Sequence, residues 1–237
     1  LINNKVSYSS KTIDRYKKNN DKKVINTVSV KIPQLEKLKK HINSIKNCDL
    51  KNNATNLVFS DGNPNSSIMI IGEGPGANED KEGKPFVGRS GKVLNTLLEA
   101  AGIDYENEVY ICNLIKSRPP NNRPPTKQEI TLHLPWLHQQ IKIIDPLIIV
   151  LIGSTSLRAI LGLKSKITEL RGTWHNWNGI FLMPIFHPAY LLRNPSRSVG
   201  KPYELTCIDL FEVKKKLTEL NACAKNSNPF FKANSTS

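Results

Sequence analysis

Four short apolar runs, 67–71, 109–114, 146–152 and 180–186, alternate with segments whose apolar side chains recur at helical spacing. A strand buried on both faces reads as an unbroken apolar run, and strands separated by helical crossovers pair in parallel. The intervening helices fall at 91–101, 127–144 and 154–161, with a closing helix over 203–220. The pattern predicts an α/β fold, a three-layer α/β/α sandwich around a short, mainly four-stranded parallel sheet. Ligand sites in such sheets form where the strands end at their carboxyl edge. Each run here passes into a polar or glycine-bearing segment, and function is sought in those four segments.

The 237 residues suit one such domain with tails. Lys and Arg number 34 against 20 Asp and Glu, a net charge of +14 that suits a polyanion binder. Residues 1–32 hold eight basic and two acidic side chains without a sustained helical or strand period. They read as a basic, mobile arm that either aids solubility or touches a polyanion. After Pro33, Leu35, Leu38, Ile42 and Ile45 form a helical stripe over 34–46. The folded domain is therefore expected at 33–220, and 221–237 reads as a disordered tail. No apolar run approaches the roughly 18–20 residues that span a bilayer, and the start is too polar for a signal peptide. Cys48, Cys112, Cys207 and Cys223 form no CxxC pair, the pattern of free thiols in a reducing compartment. These features lead to the expectation of a cytoplasmic monomer with no membrane partner.

The first run enters GEGPGANED at 72–80, where three glycines let the backbone turn and present N–H groups to an anion or carbonyl. It is not the dinucleotide fingerprint, because the third glycine is displaced and Pro75 and the acidic residues oppose a pyrophosphate. In GKPFVGRSG at 83–91, Phe86 is either a stacking platform or a core residue. Ser90 is a plausible N-cap, and with Arg89 it makes the helix start a phosphate site. The second run enters NLIKSRPPNNRPPT at 113–126, stiffened by four prolines, with Lys116, Arg118 and Arg123 available to phosphates. Asn113 either reads a base edge with its paired donor and acceptor or caps its own loop. The fourth run enters HPAYLLRNP at 187–195. There His187, held beside Pro188, can donate to developing negative charge. Tyr190, Leu191 and Leu192 either wedge into a duplex or pack, while Arg193 holds phosphate.

Together, these four segments resemble the family 4 uracil-DNA glycosylases, and the resemblance spans about 42–220. It implies a DNA-repair hydrolase that flips uracil out of DNA and hydrolyses its N-glycosidic bond, leaving an abasic site. By the same resemblance, Phe86 stacks on the base, Asn113 hydrogen-bonds its edge, and backbone N–H groups of Gly74, Gly76 and Ala77 help hold it. Glu73 activates water, His187 donates to the uracil O2, and Glu79 lines the C5 side against a thymine methyl. DNA would meet Arg89, Ser90, Lys116, Arg118, Arg123, Pro188, Tyr190, Leu191, Leu192 and Arg193. The family ligates a 4Fe-4S cluster through four cysteines. Only Cys48 aligns with a ligand, the other positions being Ile45, Ser117 and His133, so the expectation is that no cofactor is used. Relatives that trap DNA through a histidine after the GRSG-like segment differ, since Gly91 is followed by Lys92-Val93-Leu94-Asn95, and turnover is expected. The competing readings are a catalytically silent DNA-binding or polymerase-associated module and a nucleotide-binding enzyme that uses the glycine loop.

Overall fold

The computed structural model describes residues 28–227. Helix α1 (Val28–Ser44) packs its stripe of Leu35, Leu38 and Ile42 into the core, as the spacing predicts. It starts earlier than expected, with Pro33 inside it, because the Lys31 ammonium donates to the carbonyls of Ile144 (2.7 Å) and Pro64 (3.3 Å). That fastening draws residues 28–32 into the folded body, and residues 1–27 of the expected arm lie outside the described residues. After α2 (Asp49–Asn53) the chain builds a six-stranded sheet from β1 (Asp61–Gly62), β2 (Ile68–Gly72), β3 (Val109–Asn113), β4 (Ile148–Ile152), β5 (His175–Trp177) and β6 (Ile180–Ile185).

The strand order is β1-β3-β2-β4-β6-β5. The four inner strands are the four apolar runs, and they pair in parallel throughout. The two edge strands are antiparallel and were not expected, since two or three residues are too few to show a period. Between the strands lie α3 (Ala77–Glu82), α4 (Arg89–Ala100), α5 (Tyr105–Glu108), α6 (Lys127–Ile144), α7 (Gly153–Leu161) and α8 (Ile167–Leu170). After β6 come α9 (Pro188–Arg193) and α10 (Pro202–Ser227). Side chains alternate across the sheet. Met69, Ile71, Ile149 and Leu151 meet α1, α6 and α7 on one face, while Ile68, Ile70, Ile148 and Val150 meet α4 and α10 on the other. The result is the expected three-layer sandwich.

Helix α10 continues to Ser227, so residues 221–227 are helical rather than part of a disordered tail, and 228–237 lie outside the described residues. Among the described residues no helix is long and apolar enough to cross a membrane.

One buried group of α6 makes stability depend on pH. His133 is 1% exposed, sits edge-on to Trp136 with ring centroids 4.8 Å apart, and donates from Nδ1 to the Glu129 carbonyl at 2.8 Å. Burial pushes its pKa down to about 4. The unfolded chain thus binds a proton, between its ordinary value of 6.5 and about 4, that the folded state refuses. Stability that is full above pH 6.5 is therefore lost as pH falls toward about 4. The swing is about 3 kcal/mol. Urea midpoints compared at neutral and acid pH should fall less steeply for His133→Leu than for the wild type; equal slopes would show that His133 does not carry the dependence.

Candidate active site

At the carboxyl edge of the sheet a cleft of about 750 Å3 is lined by residues of all three motif-bearing strand exits and of the 83–91 segment. The β2–β3 ladder delivers two of them side by side. Gly72 pairs with Asn113, and the pairing runs on past the strands, with Leu114 N–H donating to the Gly72 carbonyl (2.9 Å) and Ile115 N–H to that of Glu73 (3.2 Å). Asn113 is buried at the inner wall of the cleft and Glu73 stands at its lip. Lys116 does not reach the cleft, contrary to expectation. It is fully buried and its ammonium donates to the Asn113 carbonyl at 2.7 Å, so it fixes the end of β3 rather than a phosphate.

The floor depends on glycines whose role the motif alone does not disclose. A Cβ on Gly72 would lie 2.4 Å from Asn113 Oδ1 and 2.5 Å from Phe86 Cζ, closer than real Cβ atoms come. The missing side chain is what lets the carboxamide and the aromatic ring meet. Phe86 has φ +56, a left-handed conformation that an L residue adopts only under constraint. Gly91 supplies part of that constraint, since a Cβ there would fall 1.6 Å from the Phe86 carbonyl oxygen. Phe86 lines the cleft while also packing against the core. Glu79 braces the loop from the other side: Oε2 accepts from Gly76 N–H (3.1 Å) and Oε1 from Gly88 N–H (2.8 Å). The Gly76 N–H is engaged by Glu79, which leaves Gly74 and Ala77 of the three expected backbone donors. The N-cap of α4 is Gly88 and not Ser90, because Arg89 and Ser90 already lie within the helix, where both line the cleft.

His187 sits at the N-cap of α9, where Pro188 occupies the first helical position. Its Nδ1 accepts from Ala189 N–H at 3.1 Å, which puts the ring proton on Nε2. Burial lowers its pKa, the Glu73 charge opposes that shift, and Arg193 adds to it. The ring is thus a neutral donor at the cleft wall. On the same turn Leu192 is 42% exposed and, with Arg193, lines the cleft, whereas Leu191 is 2% exposed and Pro188 is buried. Leu191 and Pro188 are buried and lie outside the cleft lining, because α9 packs that face against α4 and α10. Tyr190 packs on Phe186 with centroids 5.2 Å apart. Arg123 lines the cleft but is gripped by both oxygens of Glu129 at 2.6 and 2.8 Å, and Arg118, which does not line it, donates from Nε to Oδ1 of the lining residue Asn122 at 2.7 Å. Thr155 was not singled out in the sequence, yet its hydroxyl donates to Glu73 Oε2 at 2.5 Å. Its signal in the sequence is its place just past β4, the one inner-strand exit that carries no motif.

Cys48 and Ser117 are buried, Ile45 packs partly against the core, and the Ser117 hydroxyl is buried without a hydrogen-bond partner. Among the described residues no group of three or more His, Cys, Asp or Glu side chains is arranged to hold a metal ion.

The chain matches the family model described as the uracil DNA glycosylase superfamily over residues 59–211. It is 47% identical over 156 residues to a type-4 uracil-DNA glycosylase of Thermotoga maritima, covering 65% of this chain and 81% of the relative. Type-4 uracil-DNA glycosylases of Sulfurisphaera tokodaii and Saccharolobus solfataricus are 44% and 41% identical, each over 68% of this chain and 77% and 78% of their own. This kinship overturns the expectation that no cofactor is used, because the type-4 enzymes are iron–sulfur proteins. The four aligned positions here supply one thiol, one hydroxyl, one imidazole and one hydrocarbon, a donor set that does not fit a four-thiolate cluster.

Gly72→Ala tests the floor. The added methyl must push apart Asn113 and Phe86, and overpacking of that kind costs about 1–3 kcal/mol. A lowered urea midpoint is expected, together with weaker binding of free uracil by calorimetry; wild-type values for both would mean that the two side chains yield freely.

Proposed function

The chain belongs to the uracil-DNA glycosylase superfamily, and we propose that it flips uracil out of DNA and cleaves its N-glycosidic bond with Glu73 and His187 as catalytic residues. It is a uracil-DNA glycosylase of DNA repair, a hydrolase acting on N-glycosyl bonds. The observation that carries the reading is the convergence of Glu73, Phe86, Asn113 and His187 on one cleft of about 750 Å3.

A base stacked in a duplex cannot reach such a cleft, so the nucleotide must rotate out of the stack. Phe86 then takes the base face, and the Asn113 carboxamide accepts from uracil N3–H while donating to O4. Cytosine presents the reverse pattern and is refused. Glu79, with both oxygens held by backbone N–H groups, walls the C5 side and leaves no room for a thymine methyl. As the C1′–N1 bond breaks, its electron pair passes to the base and positive charge grows on the sugar. His187 Nε2–H donates to uracil O2, where negative charge develops, and Glu73 takes the proton of the water that adds to C1′. Arg89, Ser90 and Arg193 hold phosphates while the exposed Leu192 fills the gap left by the flipped base. A silent module of the same fold would have no use for a neutral histidine donor and a carboxylate facing one cleft.

Release of uracil from a single-uracil oligonucleotide, resolved on a gel after alkali, tests the assignment. Glu73→Ala and His187→Ala should each slow release by about 100- to 1,000-fold. Wild-type rates in either would remove that residue from the chemistry. DNA affinity should fall about 12-fold between about 50 and 200 mM salt if Arg89 and Arg193 each neutralise one phosphate. An affinity that ignores salt would rule out the arginine contacts.

A further inference from the structure

Three of the four inner-strand exits supply the groups named above, and the fourth, that of β4, supplies none. Yet β4 is the strand that lies between the two catalytic residues. It pairs with β2 through Ile71 and Leu151 and with β6 through Ile152 and Ile185, so its end stands between Glu73 and His187. The chain turns into α7 at once. Gly153 has φ +82, and a Cβ there would lie 3.3 Å from the His187 Cβ and 3.4 Å from its Cδ2. The turn is pinned by the buried Ser156 hydroxyl, which donates to the Ile152 carbonyl at 2.8 Å. One residue earlier, the Thr155 hydroxyl donates to Glu73 Oε2 at 2.5 Å.

We propose that Thr155 is a positioning residue for the reaction, holding Oε2 of Glu73 so that Oε1 is the oxygen presented to the attacking water. The inference rests on the reading of Glu73 as the group that activates water. A carboxylate on a loop samples rotamers that a fixed donor removes, and a donor to an ionised oxygen is among the stronger hydrogen bonds. Thr155 itself does not line the cleft, so it acts on the water only through Glu73. Gly153 completes the turn by letting the His187 ring lie against bare backbone. The β4 exit therefore sets the spacing of the two catalytic groups without touching the substrate.

The experiment uses single-turnover uracil release from a single-uracil oligonucleotide by the full chain. Thr155→Val keeps the shape and removes the donor, and Thr155→Ala serves as a second variant should the valine not fold. Loss of a hydrogen bond to a charged group predicts a rate about 10- to 100-fold lower at unchanged DNA affinity. Thr155→Ser, which restores the hydroxyl, should recover most of the rate. In a Glu73→Ala background, Thr155→Val should have no further effect. A donor-free variant with the wild-type rate would overturn the proposal, as would one that slows the Glu73→Ala protein by the same factor as the wild type. Glu73→Ala measured alone separates the levels: if it is slow while Thr155→Val is fast, only the Thr155 inference falls. If Glu73→Ala is itself as fast as wild type, the reading of Glu73 falls and takes the inference with it.

Discussion

The site is placed by the parallel ladder joining β3, β2, β4 and β6. Strands that run the same way end on the same side, so whatever follows each last paired residue arrives at a common edge. The register Gly72 to Asn113, Ile71 to Leu151 and Ile152 to Ile185 brings Glu73, Asn113, Thr155 and His187 there together. Hydrophobicity alone does not set that register, because all five residues of β2, β3 and β4 are buried and a slip by one would still bury apolar side chains. Shape sets it. Only a residue without a Cβ fits between Asn113 Oδ1 and the Phe86 ring, and β2 has a single glycine, at its last position. The residue that opens the floor of the cleft is thus also the one that aligns the sheet.

Strain is concentrated where the cleft needs a fixed aromatic ring. The left-handed backbone at Phe86 costs about 1–2 kcal/mol. Neighbouring contacts offset it: Gly91 lets the Phe86 carbonyl nestle against the start of α4, and Glu79 ties both flanking loops through two N–H groups. Hydrogen bonds to an ionised acceptor are roughly twice as strong as neutral ones, so this brace is well matched to the load. In the proposed reaction, a ring set in place during folding needs no further ordering when a base arrives, which is how preorganisation assists binding.

The inner strands and long helices were legible because their apolar spacing is a direct image of burial; Leu35, Leu38 and Ile42 point inward as read, and Lys127–Ile144 keeps its bounds despite Pro135. Where the chain departs from that reading, the cause is a contact between residues far apart in sequence. Lys31 reaches Ile144 and extends α1, and no local pattern announces a partner 113 residues away. Lys116 reads as a phosphate cation because a lysine in a proline-rich loop is usually solvated, yet its ammonium turns inward to a carbonyl. Leu191 and Leu192 are adjacent and chemically alike, and only the direction of α9 sends one to the core and the other to the cleft. Thr155 carries no motif at all, and its contact with Glu73, 82 residues away, exists because β2 and β4 lie next to each other.

The electrostatic design of the cleft follows from how His187 is held. With Nδ1 accepting from Ala189 N–H, a second ring proton would have to point at a donor, so protonation would break the cap of α9 as well as charge a buried ring. The backbone thereby enforces the neutral tautomer even though Glu73 favours the charged one. In the proposed reaction this matters because the two ends of the breaking bond develop opposite charges. An imidazolium would neutralise Glu73 and repel the growing cation on the sugar. A neutral Nε2–H instead polarises the departing base without cancelling the carboxylate. Each end of the bond then meets the group suited to it, and the protein needs no change of protonation on His187 between binding and bond breakage.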